Sequence, residues 1–520
     1  MQHTLARLIN WSRTLVFTAG IFFAVLTAIG CASRLPTAFP GTSNASALNT
    51  SALGQIKRFL DKTLHATPLE TILWGIDVRS IDRNEQIYTN NPDMLLTPAS
   101  TQKIITLAVA SQALGWDDRF ETTLFTNGHI ERNVLHGDLI VRGSGDPTID
   151  TEIMTAWVGK LRMQGIHRVT GNIIGDDRIT LGQDLQHGTP SPPQLGFGWS
   201  WDDLAFGFAA PAGPLQYQEN VVGIQITPSQ TVDALAELTI QTTGSGLKLV
   251  NQVITASGTE PSLIQLRRVA NTQNLVVSGS IGLGSSAVVR SVSVANPTRF
   301  FAQAFLTALE ADGVVVLGDA VDIDQLSEAQ RDSATNELYA LLTTQSEPLS
   351  IIAIDMMKRS QNLFAESIYR RLGFSFNDNS AAIVSHVLAD WGIQRNRAII
   401  VDGSGLSRYN YLTASALTDI LVRLFKNEVD QTLFLPTLPI ANEDGTLRNR
   451  FGGTATAGNA HAKTGSMSHV RALAGYVTTA DDEQLAFSIL ANNFSANPTD
   501  VVTAIDAFVS ALATMSRGDS

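Results

Sequence analysis

Cysteine is almost absent: the 520 residues hold one, Cys31. A single thiol excludes an intramolecular disulfide framework, a multi-thiolate zinc site and an iron–sulfur cluster built by this chain alone. Charge is sparse as well, 16 % of residues, and it is unbalanced, with 36 Lys and Arg against 48 Asp and Glu for a net −12 and no basic block. The phosphate-neutralising surface that nucleic-acid binding requires is missing, so no nucleic-acid partner is expected. Lysine is rarest among the charged types, 8 residues against 28 Arg, which makes a lysine inside a motif informative. What the chain does have is apolar residues, 44 % of the total, enough for a large core and too many for a disordered protein. The length suggests roughly three domains.

Arg7 and Arg13 precede an unbroken apolar or small stretch from Thr14 to Gly30, followed by Cys31, Ala32 and Ser33. That order is an export signal within residues 1–32, with a retained membrane anchor as the alternative, since the stretch is just long enough to span a bilayer. The segment AIGC ending at Cys31 resembles the lipobox of bacterial lipoproteins, with Ala28 where that pattern has Leu. Lipidation of Cys31, giving a lipid anchor, and ordinary cleavage near Ala32 both remain open. Residues 33–54 are rich in Ser, Thr, Ala, Asn and Pro without apolar period and read as a flexible linker. The folded part is expected outside the cytoplasm, in the periplasm or cell envelope.

Beyond the linker, ILWGIDV (72–78) and QIYT (86–89) read as a hairpin, and TQKIITLAVASQAL as a helix apolar nearly all round, hence buried. From about 119 to 330 short runs separated by Gly, Asn, Asp and Pro indicate strands and turns, with a helix at about 298–311. Helical patterns dominate again from about 350, and the chain closes with the strands HVRALAGYVTTA and LAFSILANN and a last helix. A helix-and-sheet body interrupted by a mostly β insertion is the simplest organisation.

Three motifs carry chemistry. In Ser100-Thr-Gln-Lys103 the two outer residues share a helix face, so the Lys103 amine can reach the Ser100 hydroxyl. A serine hydroxyl needs a neighbouring base, and lysine serves as one when burial or a second cation keeps it neutral. Ser245-Gly-Leu-Lys248 fits the same pattern but lies in a Gly-rich turn and reads as a chance match. Ser360-Gln-Asn362 is unspecific alone and gains weight from its helical context. Lys463-Thr464-Gly465 is the most specific, with roughly 0.06 chance occurrences expected. It lies beside a strand, where Gly465 permits close approach and Lys463 with the Thr464 hydroxyl suits a carboxylate. His461 and His469 flank it without metal-ligand spacing, so no metal and no other cofactor is expected.

In that order the motifs are those of the penicillin-recognising serine acyl-transferases. Ser100 and Ser360 are 260 residues apart and Ser360 and Lys463 are 103 apart, and the long first interval resembles the low-molecular-mass class C penicillin-binding proteins, the D-alanyl-D-alanine carboxypeptidase/endopeptidases. GDLIVRGSGDPT (137–148), GNIIGDD (171–177), GWSWDDL (198–204), SQNLFAESIYRRLG (360–373), VDGSGLSRYN (401–410) and LPIANEDGTLRNR (438–450) resemble that family too. Gln361 departs from it, standing where Asp or Asn is frequent, and Ala441-Asn442 replaces a common Ala-Gly. The resemblance implies an α+β fold: a penicillin-binding/β-lactamase-like transpeptidase domain, with helices on both faces of an antiparallel sheet. That domain is expected at 55–118 and 332–516, around a mostly β insertion of two subdomains at 119–331. It implies a serine D-alanyl-D-alanine carboxypeptidase/endopeptidase that acts on peptidoglycan stem peptides through an acyl-enzyme and is inhibited by β-lactams. Ser100 would be the nucleophile, Lys103 its base and Ser360 a proton relay. Asn362 would hold the substrate backbone, Lys463, Thr464 and Gly465 the terminal carboxylate, and the amides of Ser100 and Ser466 the oxyanion. Asp176 would contact substrate from the insertion, and Ser404 would be a turn residue near the cleft. A β-lactamase, or a non-catalytic peptidoglycan-binding or β-lactam-sensing protein, would share these motifs.

Overall fold

The computed structural model describes residues 52–178, 194–258, 262–270 and 272–517, except 65 and 67. The export signal, Cys31 and the linker as far as residue 51 lie outside the described residues. One five-stranded sheet joins the two ends of the folded chain, in the order Glu85–Asn90, Leu73–Ser80, Gln484–Asn492, Val470–Thr478, His461–Met467. Every neighbouring pair is antiparallel.

The central strand Gln484–Asn492 is buried along almost its whole length, and period-two alternation sends its side chains into two separate cores. Leu485, Phe487 and Ile489 pack with Leu60, Leu64, Ile505 and Phe508 of the helices Ala52–Leu64 and Pro498–Ala513. Ala486 joins the core on the other face, built by the helices Gln102–Ala113, Leu349–Lys358, Asn362–Phe376, Ser380–Asp390 and Ala414–Lys426. Helices thus cover both faces of an antiparallel sheet. The helix Gln102–Ala113 is buried at every position from Gln102 to Ser111, as its all-round apolar pattern requires.

Between Ala113 and Leu349 the chain departs and returns at one place. Phe120 N–H donates to Ser346 Oγ at 3.0 Å and Ser346 N–H to the Phe120 carbonyl at 2.9 Å, and the strand Glu121–Thr126 pairs with Tyr339–Gln345. The segment held by this pairing runs to Gln345, past the expected end at 331. The residues around that expected end contain the helix Glu328–Thr335, opened by a Ser327/Gln330 capping box. The departing segment carries several small sheets and more helix than its short runs suggest. Thr151–Met163 is a helix missed by the strand-and-turn reading, although Met154, Trp157, Val158 and Leu161 recur at helical spacing and Asp150 caps it through Ile153 N–H at 2.9 Å. Trp157 packs on Phe301 and Phe305 of the helix Pro297–Ala311.

Asp176 corrects an expectation. It ends the strand Ile173–Asp176 with no exposed surface, and its carboxylate accepts from Arg142 Nε at 2.6 Å and Arg178 Nε at 2.8 Å. Enclosed between two guanidinium groups, it forms a buried ion pair rather than an exposed carboxylate. Burial acts to raise its pKa, but the two arginines outweigh that and hold it below the ordinary carboxylate range. Asp176→Asn leaves these cations without their charge partner in a dry interior and is expected to lower the unfolding free energy by about 3 kcal/mol. Chemical denaturation checks this; an unchanged midpoint would contradict the buried-pair role.

Candidate active site

The site is built where the buried helix Gln102–Ala113 begins. A 3-10 turn, Ala99–Thr101, precedes the helix, with Ala99 in the left-handed region at φ +48° and Thr101 Oγ1 donating to the Pro98 carbonyl at 2.6 Å. Two glycines let neighbouring segments close on this turn. A Cβ on Gly465 would lie 2.8 Å from the Pro98 carbonyl oxygen and 3.2 Å from Ala99 Cβ, and one on Gly405 would lie 2.0 Å from the Ala99 carbonyl oxygen. Ser100 is therefore presented between the edge strand His461–Met467 and the loop 402–407.

Lys103, one turn on, is fully buried. Its ammonium has three donors and finds three acceptors: Ser100 Oγ at 3.0 Å, Asn362 Oδ1 at 2.6 Å and the Ser404 carbonyl at 2.8 Å. Burial pushes its pKa down to about 7, against the opposing charges of Asp402 and Glu366. The 402–404 carbonyls are held in register by the same helix: Gln102 Nε2 donates to the Asp402 carbonyl at 2.9 Å and Thr106 Oγ1 to that of Gly403 at 2.6 Å.

Behind that loop, the Glu366 carboxylate accepts from the Gly403 and Ser404 amides at 3.0 and 2.8 Å; burial, then the charge of Asp402, raises its pKa to about 7. Asp402 accepts from the amides of Gly405 and Ser407, from Asn410 Nδ2 and from Trp199 Nε1. Neither Glu366 nor Asp402 is proposed as a site residue by the motifs. Glu366 was accessible from spacing, since it follows Asn362 by four residues on one helix face.

Ser360 does not lie within a helix, as its apolar surroundings suggest. It sits in a break between Leu349–Lys358 and Asn362–Phe376, with φ +59°, and its Oγ accepts from Lys463 Nζ at 2.8 Å. Lys463 also donates to the Thr464 carbonyl at 2.9 Å and is fully buried. Burial, and then the neighbouring Lys103, hold its pKa well below the ordinary lysine range. Asn362 opens the following helix, and its Nδ2 donates to the Phe208 carbonyl at 2.8 Å, which brings the departing segment to the edge of the site. Phe197, on the same segment, packs tilted against Tyr409 with ring centroids 5.5 Å apart.

The edge strand completes the arrangement. Pairing with Val470–Thr478 through a two-residue turn directs alternate amides away from the partner strand. Ala462, of that outward set, donates to the Pro439 carbonyl at 2.9 Å, and Thr464 and Ser466 present theirs along the same edge. Ser100 and Asn362 are thus bonded to Lys103, and Ser360 to Lys463; the two lysines are near enough for the charge of Lys103 to act on Lys463, with Thr464, Gly465 and Ser466 beside them. Asp176 is elsewhere. Ser404 contributes its carbonyl, while its hydroxyl is buried and accepts from Leu406 N–H at 3.3 Å. Ser245 is buried in its turn and Lys248 is exposed at a strand start, so that pair has no shared site.

Comparison with known proteins places this geometry. Residues 56–515 match the D-Ala-D-Ala carboxypeptidase 3 (S13) family. The chain is 28 % identical over 430 residues to the D-alanyl-D-alanine carboxypeptidase DacB of Haemophilus influenzae, covering 81 % of this chain and 85 % of that protein. It is 29 % identical over 478 residues to the D-alanyl-D-alanine carboxypeptidase of Actinomadura sp. strain R39, covering 89 % and 85 %. The crystal structure of penicillin binding protein 4 (dacB) from Haemophilus influenzae superposes with a TM-score of 0.75 at 26 % identity, covering 87 % of this chain and 99 % of that one.

The close approach of the edge strand to the Pro98–Ala99 turn gives a direct test. Gly465→Ala places a Cβ against the Pro98 carbonyl, so either the strand or the turn moves. Labelling of Ser100 by a serine-directed acylating reagent is expected to slow by roughly tenfold or more, the scale of a small misplacement at a reacting atom, in a protein that still unfolds cooperatively. Labelling at the parental rate would show that the turn tolerates the contact.

Proposed function

The chain belongs to the D-Ala-D-Ala carboxypeptidase 3 (S13) family, and on that premise we propose which of its residues perform each step. The protein is a serine-type D-alanyl-D-alanine carboxypeptidase, a penicillin-binding hydrolase of peptidoglycan stem peptides that reacts through an acyl-enzyme and is inhibited by β-lactams. The observation that carries the residue assignment is the Lys103 amine, bonded at once to Ser100 Oγ, Asn362 Oδ1 and the Ser404 carbonyl.

In its neutral form Lys103 takes the Ser100 proton as Oγ attacks the carbonyl carbon between the two D-alanines. The Ser100 and Ser466 amides hold the oxyanion. The tetrahedral intermediate collapses by breaking the C–N bond, and Ser360 relays the proton that Lys103 took from Ser100 to the departing D-alanine amine. Its bond to Lys463 Nζ supports that relay. Water then attacks the ester, and Ser100 regains its proton. Lys463 and Thr464 receive the terminal carboxylate; burial lowers the pKa of Lys463, and an arriving carboxylate favours its ammonium. Asn362 first orients Lys103. With Oδ1 and one N–H engaged, its second N–H is left for the substrate backbone.

The same attack on an amide between stem peptides is the endopeptidase reaction, and the open edge of His461–Met467 suits an extended peptide. We assign the penicillin-binding domain to residues 55–118 and the chain after Ser346, with the segment between them forming part of the cleft wall. We further assign residues 1–32 to export into the periplasm or cell envelope, with Cys31 as the site of a lipid anchor.

Three outcomes are expected. Penicillin forms a long-lived one-to-one adduct that maps by peptide mass spectrometry to Ser100; Ser100→Ala abolishes the adduct and D-alanine release, and Lys103→Ala slows acylation by several powers of ten. Rapid turnover of penicillin would favour a β-lactamase instead. Because the base form of Lys103 is required and its pKa is about 7, the acylation rate constant falls about tenfold per pH unit below that value and levels above it; a flat profile from pH 5 to 9 would remove Lys103 as the base. Finally, fatty-acid labelling marks the full chain and not its Cys31→Ser variant, whereas an unlabelled product beginning near Ser33 would show ordinary cleavage.

A further inference from the structure

The departing segment meets the site at a second place, beside Ser360. Gln218, Glu219 and Asn220 adopt φ +48°, +57° and +54° in succession, a left-handed run that residues with a Cβ seldom enter. The run is anchored from inside. Asn220 is fully buried, its Nδ2 donates to the Pro211 carbonyl at 2.8 Å and its Oδ1 accepts from Tyr217 N–H at 3.2 Å, while Gln218 N–H donates to the Ile149 carbonyl at 3.0 Å. At its centre Glu219 points toward the helix break. One oxygen accepts from Arg359 Nη2 at 2.6 Å and the other from Gln361 Nε2. Arg359 and Gln361 are the two neighbours of Ser360, itself left-handed at φ +59°.

We propose that Glu219 is a positioning residue: its carboxylate clips both neighbours of Ser360, and so the inserted segment holds that serine in its left-handed conformation with Oγ on Lys463. An isolated non-glycine residue in this region relaxes toward the right-handed wells unless its surroundings over-determine it. A single carboxylate bonded on either side of the residue supplies such a constraint. The ion pair itself is half-exposed, since Arg359 keeps 50 % of its side-chain surface and has Asp355 as a second partner at 3.5 Å, so its attraction contributes little to global stability. What it supplies is orientation. Gln361 donates an amide N–H to the carboxylate, which an acidic side chain at this position could not do and a shorter amide could not do with the same reach. This inference rests on the reading of Ser360 as the proton relay.

Glu219→Asn is the informative variant, because asparagine tolerates the left-handed region while its shorter side chain cannot reach both partners. The expected result is a roughly ten- to hundredfold fall in kcat for D-alanine release and in the penicillin acylation rate constant, with KM within about twofold and the thermal midpoint almost unmoved. Adding Gln361→Ala to Glu219→Asn should cost little more than either change alone, as members of one unit do. Parental kcat in Glu219→Asn, a loss confined to KM, or losses that multiply in the double variant would each overturn the clip. A parent chain that forms no penicillin adduct at Ser100 would overturn the function and the clip together, whereas a parent that acylates normally beside an equally fast Glu219→Asn overturns the clip alone.

Discussion

The burial of one amine governs this site. An ammonium removed from water is among the most expensive groups a protein can enclose, and Lys103 is enclosed completely. Two consequences follow from that single constraint. Its pKa falls to about 7, where the neutral form becomes available as a base, and all three of its protons must be met by acceptors fixed in place. Ser100 Oγ, Asn362 Oδ1 and the Ser404 carbonyl meet them. They come from three segments widely separated in the chain, so holding the amine also assembles the site.

The surroundings are what such an arrangement demands. The Ser404 carbonyl can face Lys103 only if its loop is rigid, and that loop is fastened on one side by Gln102 and Thr106 and on the other by Glu366. Glu366 and Asp402 place negative potential behind the loop and keep Lys103 from losing its proton too readily. Lys463, enclosed equally, is also lowered, by burial and then by the neighbouring charge of Lys103, with no acid among the groups that shift it. The two buried lysines thus sit in different electrostatic surroundings, on which the roles proposed for them, base and carboxylate binder, depend.

The departing segment is more than an attachment. It supplies the Phe208 carbonyl to Asn362, the Trp199 indole to Asp402 and the Glu219 carboxylate to both neighbours of Ser360. Each contact falls on a residue that holds or neighbours Lys103, its loop or Ser360, and none of them is made to Ser100.

Much of the chemistry was legible in the chain. Ser100 and Lys103 lie three apart at the start of a helix whose apolar pattern left no solvated face for a lysine, and Lys463-Thr464-Gly465 is too rare a word to be chance in a chain with 8 lysines. Periodicity likewise located the closing strands and the buried helix, because those signals are local. Asp176 misled, because a carboxylate in a turn-like GDD looks the same whether it faces solvent or two arginines, and Arg142 comes from a different strand. Ser360 looked helical because its flanks are; the break depends on contacts that reach it from Glu219 and Lys463, 141 residues before it and 103 residues after it. The order of the residues sets which side chains are available for the chemistry and where they stand along the chain. Which carboxylate is buried, which serine leaves its helix and which lysine has a lowered pKa come from the folded arrangement, since burial, φ and pKa are set by neighbours brought together in space rather than along the chain.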